Sequence, residues 1–374
     1  MPAEYNIKDL AEKYEKFASP SYSIEIEGKK LDENYTKTQL TVELTATFEA
    51  SWCKFEISNA FKSLKGDKIT LEEDINKSIK LGSKVEVIVG YKNVTHKRIF
   101  LGYIDTIYLD YNKGGDIVYT VECLDAKGIM MNSIRSEVKT SIKKYSEAVE
   151  NILKSYSSLV KIDSKGLDKS DAEVTTLIEQ HNESDYDFIV KIAKKLNYNF
   201  FILNGYAVFK PKADVKKELL FEFNINEYVQ SFMMKSALKN QVSSVTVRAN
   251  NEKDPTKPFQ ATANKYKNLI TGAMTKPAAA SVINNKVSQT IIDLSVDSEA
   301  TAKARAEAKL MELSYSLSKG KIGIVGLPEL VPGRIVKVEG FGANYNQKYY
   351  VSKVIHHIKD SRFTTECELE VNKV

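Results

Sequence analysis

Chemistry needs side chains that donate, accept or coordinate within reach of one another, and this sequence groups few of them. The 4 histidines are His96, His181, His356 and His357. His356 and His357 are adjacent, so on a strand they face opposite sides and cannot chelate one ion. His96 sits in a polar turn and His181 precedes a helix start. Neither stands beside a partner motif, so all four read as surface or packing histidines. Cys53, Cys123 and Cys367 are widely spread with no Cys-x-x-Cys, which fits buried thiols better than a disulfide or metal framework. Glu183, Asp185 and Asp187 gather three carboxylates, but a helix N-terminus welcomes negative charge and accounts for them. Gly340-Phe-Gly342 lacks the third glycine and the following helix of a dinucleotide fingerprint, and reads as a strand-end turn. HExxH, GxSxG, phosphate-loop and EF-hand motifs are all missing. Asn34-Tyr-Thr36 and Asn93-Val-Thr95 match the glycosylation sequon, and count as chance in a chain made in cytoplasm. The expectation is no catalytic residue, no cofactor-binding residue, no metal ligand and no enzyme.

The elements that would position any such site are mostly strands. At 374 residues the chain can hold two or three domains with proper cores, and its 20 tyrosines favour β-structure. The net charge of +5 comes from 54 basic and 49 acidic residues with the signs interleaved. That is a solvated surface, not the basic stripe of a sequence-specific nucleic-acid binder. No run of roughly 18 apolar residues exists to span a membrane. The start, Met-Pro-Ala-Glu-Tyr-Asn, has no signal pattern, so folding in the cytoplasm is expected.

In order, residues 1–20 form an arm. Ile7, Leu10, Ala11, Tyr14 and Phe17 lie at helical spacing and should dock on the body or on a neighbouring subunit. Residues 21–135 alternate apolar and polar positions: Tyr22/Ile24/Ile26, Leu40 to Phe48, Phe55/Ile57, Val85–Val89, Ile99–Ile107 and Val118–Leu124. With a turn at Lys113-Gly-Gly-Asp116, they predict a closed or nearly closed barrel, since long exposed edges invite aggregation. Residues 136–212 read as an α/β insert. Ile142, Tyr145, Val149, Ile152 and Tyr156 mark one helix face. Ser184-Asp-Tyr-Asp187 has capping-box spacing ahead of the Phe188/Ile192/Leu196 stripe. Asn204-Gly205 between two apolar runs predicts a hairpin. Residues 213–374 resume strand character around a long helix at about 297–318, with Asp297 as its cap, a stripe of Ala306, Leu310, Leu313 and Leu317, and Gly320 as its left-handed stop. Residues 261–286 give no assignable pattern.

The downstream part repeats the upstream one. Gly82-Ser-Lys-Val85-Glu-Val87, Phe100 and Tyr119-Thr-Val-Glu-Cys123 recur in order as Gly333-Arg-Ile-Val336-Lys-Val338, Tyr350 and Phe363-Thr-Thr-Glu-Cys367. Such self-similarity is the mark of a duplicated supersecondary unit. The fold expected is α+β, mainly β, with two similar antiparallel tube-forming β-barrels and an inserted α/β domain.

Three further stretches carry a resemblance. Gln180-His-Asn-Glu183-Ser184-Asp185-Tyr-Asp187-Phe188, Gly326-Leu-Pro328 through Pro332-Gly333, and the alanines at 300, 304 and 306 are similar to signatures of the phage late control D and VgrG-like hub family. The resemblance covers about Ser21 to the end. It implies a structural baseplate hub of a contractile phage tail, tailocin or contractile injection system. Such a hub is a homotrimeric, pseudo-six-fold ring joining the hexameric tail tube to the central spike. The partners implied are a spike protein, a tail tube protein and other baseplate proteins, a LysM-containing one among them. VgrG-type chains continue past the second barrel into a spike, whereas this one stops at Val374, so the spike is expected from another polypeptide. The location implied is bacterial cytoplasm during assembly, then the virion tail or extracellular particle. The alternatives are a tail-associated cell-wall-degrading or glycan-binding protein, or the hub of a non-contractile tail.

Overall fold

Local signals decide most elements of the computed structural model, which describes residues 3–32, 35, 37–64, 68–92, 96–111, 117–174, 177–251, 254–284 and 286–373. The Asn6 side chain caps the Ile7–Lys13 helix by accepting from the Lys8 N–H, and Ile7, Leu10 and Ala11 are its buried face. Glu15, Lys16 and Phe17 then run through left-handed backbone, at φ 48°, 55° and 62°. That turn lays the arm on the body of its own chain. The Tyr14 hydroxyl donates to Glu329 Oε1 at 2.5 Å, and its ring lies 4.9 Å from that of Tyr91.

The main sheet has thirteen strands among the described residues. Its upstream meander is Lys84–Tyr91, Lys97–Tyr111 and Ile117–Leu124; its downstream meander is Arg334–Glu339, Gln347–Lys359 and Arg362–Val371. The strands beside them follow one order. Ile117–Leu124 pairs with Trp52–Ile57, which pairs with Lys37–Thr45. Arg362–Val371 pairs with Ser318–Val325, which pairs with Val229–Ser236. Outside the meanders the match loosens: Pro20–Ile26 is antiparallel to its neighbour and Leu219–Asn224 parallel to its own.

Side-chain direction tests the repeat more sharply. Val85, Val87, Val336, Val338, Cys123 and Cys367 all face one shared core. Glu86 and Lys337 face away into ion pairs with Arg98 and Glu222. Phe100 and Tyr350 do not correspond. Phe100 points into the shared core, whereas Tyr350 packs on the other side with Leu310, Met311 and Tyr315. The cause is a bulge between Val351 and Lys353, which inserts one residue and flips the alternation upstream of it.

The two halves are not separate closed barrels. Lys353–Lys359 pairs with Gln39–Thr45, so a strand of the first half continues the sheet of the second, and the ladder stays open among the described residues. One core runs beneath both halves, from Ile24 and Val42 to Phe221 and Leu369. At about 1.5–3 kcal/mol per fully buried apolar side chain, this joint core outweighs any local hydrogen bond. The predicted turn at 113–116 and both sequons (Asn34 and Thr36; Asn93–Thr95) lie outside the described residues.

A second core gathers the residues between the halves. It holds the Tyr145–Lys154 and Asp185–Leu196 helices and a three-stranded sheet of Lys161–Leu167, Tyr206–Pro211 and Tyr198–Leu203. Asn204 (φ 52°) and Gly205 (φ 80°) make the tight left-handed turn of the hairpin, with Leu203 opposite Tyr206. A third core packs the Glu299–Tyr315 helix on Ser244–Ala249 and its neighbours. Two expectations fail here. The cap is Ser298, in a reciprocal box with Thr301, while Asp297 is drawn off by Lys195. Gly320 does not stop the helix, which ends at Tyr315. It lies in Ser318–Val325 opposite Met234, where an added Cβ would come 2.0 Å from the Met233 carbonyl oxygen. The stretch from 261 to 286 holds the short strands Tyr266–Lys267 and Met274–Thr275 and one turn of 3₁₀ helix.

Candidate functional site

The histidines do not converge. His96 is an exposed partner of Ser21 Oγ at 3.0 Å, and His181 is exposed. His356 and His357 sit on opposite faces of one strand. Buried His356 meets Thr365 Oγ1 at 3.0 Å and half-buried His357 meets Thr41 Oγ1 at 3.2 Å. Burial pushes His356 down to about 3, helped by the neighbouring His357. The three thiols are free and buried. Cys53 and Cys123 stand directly opposite one another in the ladder, and burial together with Cys53 pushes the Cys123 thiol well up. Among the described residues, no group of three His, Cys, Asp or Glu is placed to hold a metal.

The acidic cluster turns out to hold the insert together. Ser184 caps its helix by accepting from the Asp187 N–H at 2.9 Å and returns its own proton to the Asp187 carboxylate at 2.6 Å. Buried Asp185 accepts from Gln180 Nε2 at 2.9 Å and from the Tyr156 hydroxyl at 2.6 Å, with Arg135 at 3.4 Å. Glu183 pairs with Lys191. Each carboxylate therefore has a structural partner, as a helix start in a dry setting requires. The residues that matter in Gln180–Phe188 fix a turn.

Two buried lysines escaped the sequence reading. Lys127 is fully enclosed. Its ammonium donates to the Glu49 carbonyl and to the Thr47 carbonyl at 3.5 Å, with Asp125 at 3.8 Å. Burial lowers its pKa and raises that of Asp125. Lys195 donates to Asp297 at 2.6 Å and to the Tyr145 hydroxyl at 2.5 Å, tying the insert to the start of the long helix. Burial lowers Lys195, against the pull of Asp297. Both lysines bridge chain segments. A lysine inside a helical apolar stripe, as Lys195 is, was the one available signal.

The three parts meet around a cavity of about 240 Å³ lined by Ala46, Phe48, Phe200, Met311, Tyr315 and Tyr350, with the Lys212 ammonium 5.4 Å over the Phe48 ring. The larger opportunities are on the surface. Among the described residues, the Val229–Ser236 strand has a partner on one side only, and it exposes Met233. Beyond Ile104, the Lys97–Tyr111 strand likewise pairs only with Ile117–Leu124 among the described residues. Its Tyr108, Leu109 and Tyr111 are 50%, 59% and 60% exposed. Backbone edges bordered by apolar side chains are equipped for protein contact rather than catalysis.

Known structures share this fold. The 43 kDa tail protein of prophage MuSo2 from Shewanella oneidensis matches at 13% identity over 94% of this chain and 98% of its own, with a TM-score of 0.68. A tail protein from Neisseria meningitidis matches at 12% identity over 95% and 97%, also at 0.68. A component of the type VI secretion system from E. coli, described as similar to bacteriophage T4 tail proteins, matches at 10% identity over 92% and 76%, at 0.54. At such identities the likeness establishes the fold. No curated protein matches the sequence. The Alg8 N-terminal domain family matches residues 17–360, most of the chain, and the chain belongs to that family.

Proposed function

We propose that this chain is a structural baseplate hub protein of a contractile phage tail or a phage-tail-like injection particle, not an enzyme. Three copies form a pseudo-six-fold ring that joins a six-fold tail tube to a three-fold central spike. The observation that carries the reading is the repeated meander. Each chain brings two strand sets of one order, so three chains bring six, and a ring of six similar units can meet a six-fold tube on one rim and a three-fold spike on the other. The whole-chain fold likeness to a prophage tail protein and to a second tail protein supports it. In this reading residues 1–20 are an arm, 21–135 and 213–374 the two tube-forming β-units, and 136–212 the insert on the outside. The polar groups are spent on holding segments together, as Asp185, Lys127 and Lys195 are, which suits a function made of shape. Assembly proceeds in bacterial cytoplasm and the product resides in the tail or particle.

Co-expression with a spike protein and a tail tube protein from the same genome, followed by pull-down and sizing, tests this. A stoichiometric complex containing three copies of the chain is expected. Failure to bind either partner at any salt concentration refutes it.

A further inference from the structure

The strand joint inside the chain specifies the joint between chains. In the downstream meander, the first part of Gln347–Lys359 pairs with Arg334–Glu339. On the same side, Lys353–Lys359 then takes Gln39–Thr45 from the other half. In the upstream meander, the first part of Lys97–Tyr111 pairs with Lys84–Tyr91 in the same manner. The corresponding stretch, Asp105–Tyr111, has no strand on that side among the described residues. The strand equivalent to Lys37–Thr45 is Val229–Ser236, since each lies second from a matched cysteine strand. It too has an open edge among the described residues. One half-joint is thus present in each half of the chain, and the complete joint once between the halves.

We infer that Asp105–Tyr111 of one copy pairs antiparallel with Val229–Ser236 of a second copy, head to tail. The occupant is a second copy because the complementary partner of each open edge is carried by the same chain, in the arrangement that the Gln39–Thr45 joint already uses. The inference rests on the ring reading above and gives it an interface. Such a contact is heterologous and closes only as a ring.

The register follows from the matched cysteines. Cys123 faces Cys53 and Ile104; Cys367 faces Ile322 and Val354. Cys53 leads on to Val42 and Ile322 to Phe232. Glu122 and Glu366 similarly equate Thr106 with Ile355, hence Ile107 with His356 and Tyr108 with His357. Inside the chain His356 lies opposite Val42 and His357 opposite Thr41. Between chains Ile107 therefore lies opposite Phe232, and Tyr108 opposite Ser231. This covers the exposed Tyr108, Leu109 and Met233 and brings Lys235 beside Asp105. Pairing also satisfies the free backbone groups that either edge would otherwise leave to water.

Cross-linking of the full-length chain with a short bismaleimide tests it. The native thiols are buried and stay out of the reaction. A variant carrying Tyr108→Cys and Ser231→Cys should give a ladder of covalent species ending at the closed ring. A mixture of the two single variants should give one heterodimer band, and each single variant alone none. A pair of Tyr108→Cys and Ser236→Cys, off register by five residues or roughly 16 Å, should lose the ladder. If the native chain sizes as an oligomer but the matched pair does not cross-link, this interface is wrong and the ring reading stands. If the off-register pair links equally well, collisions explain the result and the interface is wrong. A chain that stays monomeric with the spike protein present, and does not cross-link, overturns both.

Discussion

Replacing Gly205 with alanine should cost more stability than the turn alone explains. Gly205 holds φ +80°, and a Cβ there would come 2.3 Å from Leu101 Cδ2, on the strand where the insert rests. Arg98 grips the same turn. It donates to the Asn204 side-chain oxygen at 2.9 Å, and Asn204 Nδ2 returns a bond to the Arg98 carbonyl at 2.8 Å, so the turn cannot simply move aside. Gly82 supplies the control, with φ +83° and nothing within 4 Å of its added Cβ. Left-handed strain costs about 1–2 kcal/mol at either site, and the stiffer unfolded chain returns about 0.4–1. Gly82→Ala should therefore lose about 1 kcal/mol. Gly205→Ala adds overpacking of about 1–3 kcal/mol, for a loss of about 2–4. Urea unfolding of both variants, of Leu101→Ala and of the Gly205→Ala/Leu101→Ala double variant completes the cycle. The double variant should recover most of the overpacking term as a coupling energy. Equal losses at Gly82 and Gly205, or zero coupling to Leu101, would refute the close contact.

Three more outcomes follow from buried polar groups. His356 is held near 3 when folded but takes a proton at about 6.5 when unfolded. Between those values the unfolded chain binds more protons, so stability should drop as pH falls through that window, by on the order of 1 kcal/mol per unit. His356→Gln should flatten the slope of urea stability between pH 6 and 4, and an unchanged slope assigns the acid sensitivity elsewhere. Cys53, Cys123 and Cys367, enclosed in the shared core, should react with a thiol reagent no faster than the main sheet unfolds; a rapid phase for any of them would contradict the packing. Lys127→Ala should lose about 3–5 kcal/mol by stranding Asp125 and two carbonyls, and Lys127→Met less because its stem still fills the space. Equal melting temperatures for these two variants would show that the ammonium, not the stem, carries the effect.

What the sequence made legible was local. Ser184 and Asn204-Gly205 act within a few residues of themselves, and both stand where the pattern placed them. The valine alternation was equally plain, because period two needs no knowledge of the partner strand. The losses share a cause in distant partners. Asp297 looked like a cap until Lys195, far off in sequence, claimed it and left the task to Ser298. Phe100 and Tyr350 aligned by type, but a bulge set by the opposing strand turned one of them around. The joint of Lys353–Lys359 with Gln39–Thr45 has no local signature at all, so a shared sheet, open among the described residues, was read as two closed or nearly closed barrels. The signature around Gln180–Phe188 was found, but its carboxylates take their meaning from Tyr156 and Arg135, which spacing does not reveal.

That central joint also sets a timetable for the newborn chain. Thr41 meets His357 across 316 positions, and Tyr14 meets Glu329 across 315. At synthesis rates of about 5–20 residues per second, the early strand waits roughly 15–60 s on the ribosome before its second neighbour exists. The insert, with a core drawn almost wholly from residues 103–209, can settle during that delay. The main sheet cannot be completed in that time. The Gln39–Thr45 edge must be kept free until Gln347–Lys359 has emerged, so a ribosome that stalls before that strand should release a chain whose insert is folded and whose first-half sheet ends on an unpaired edge.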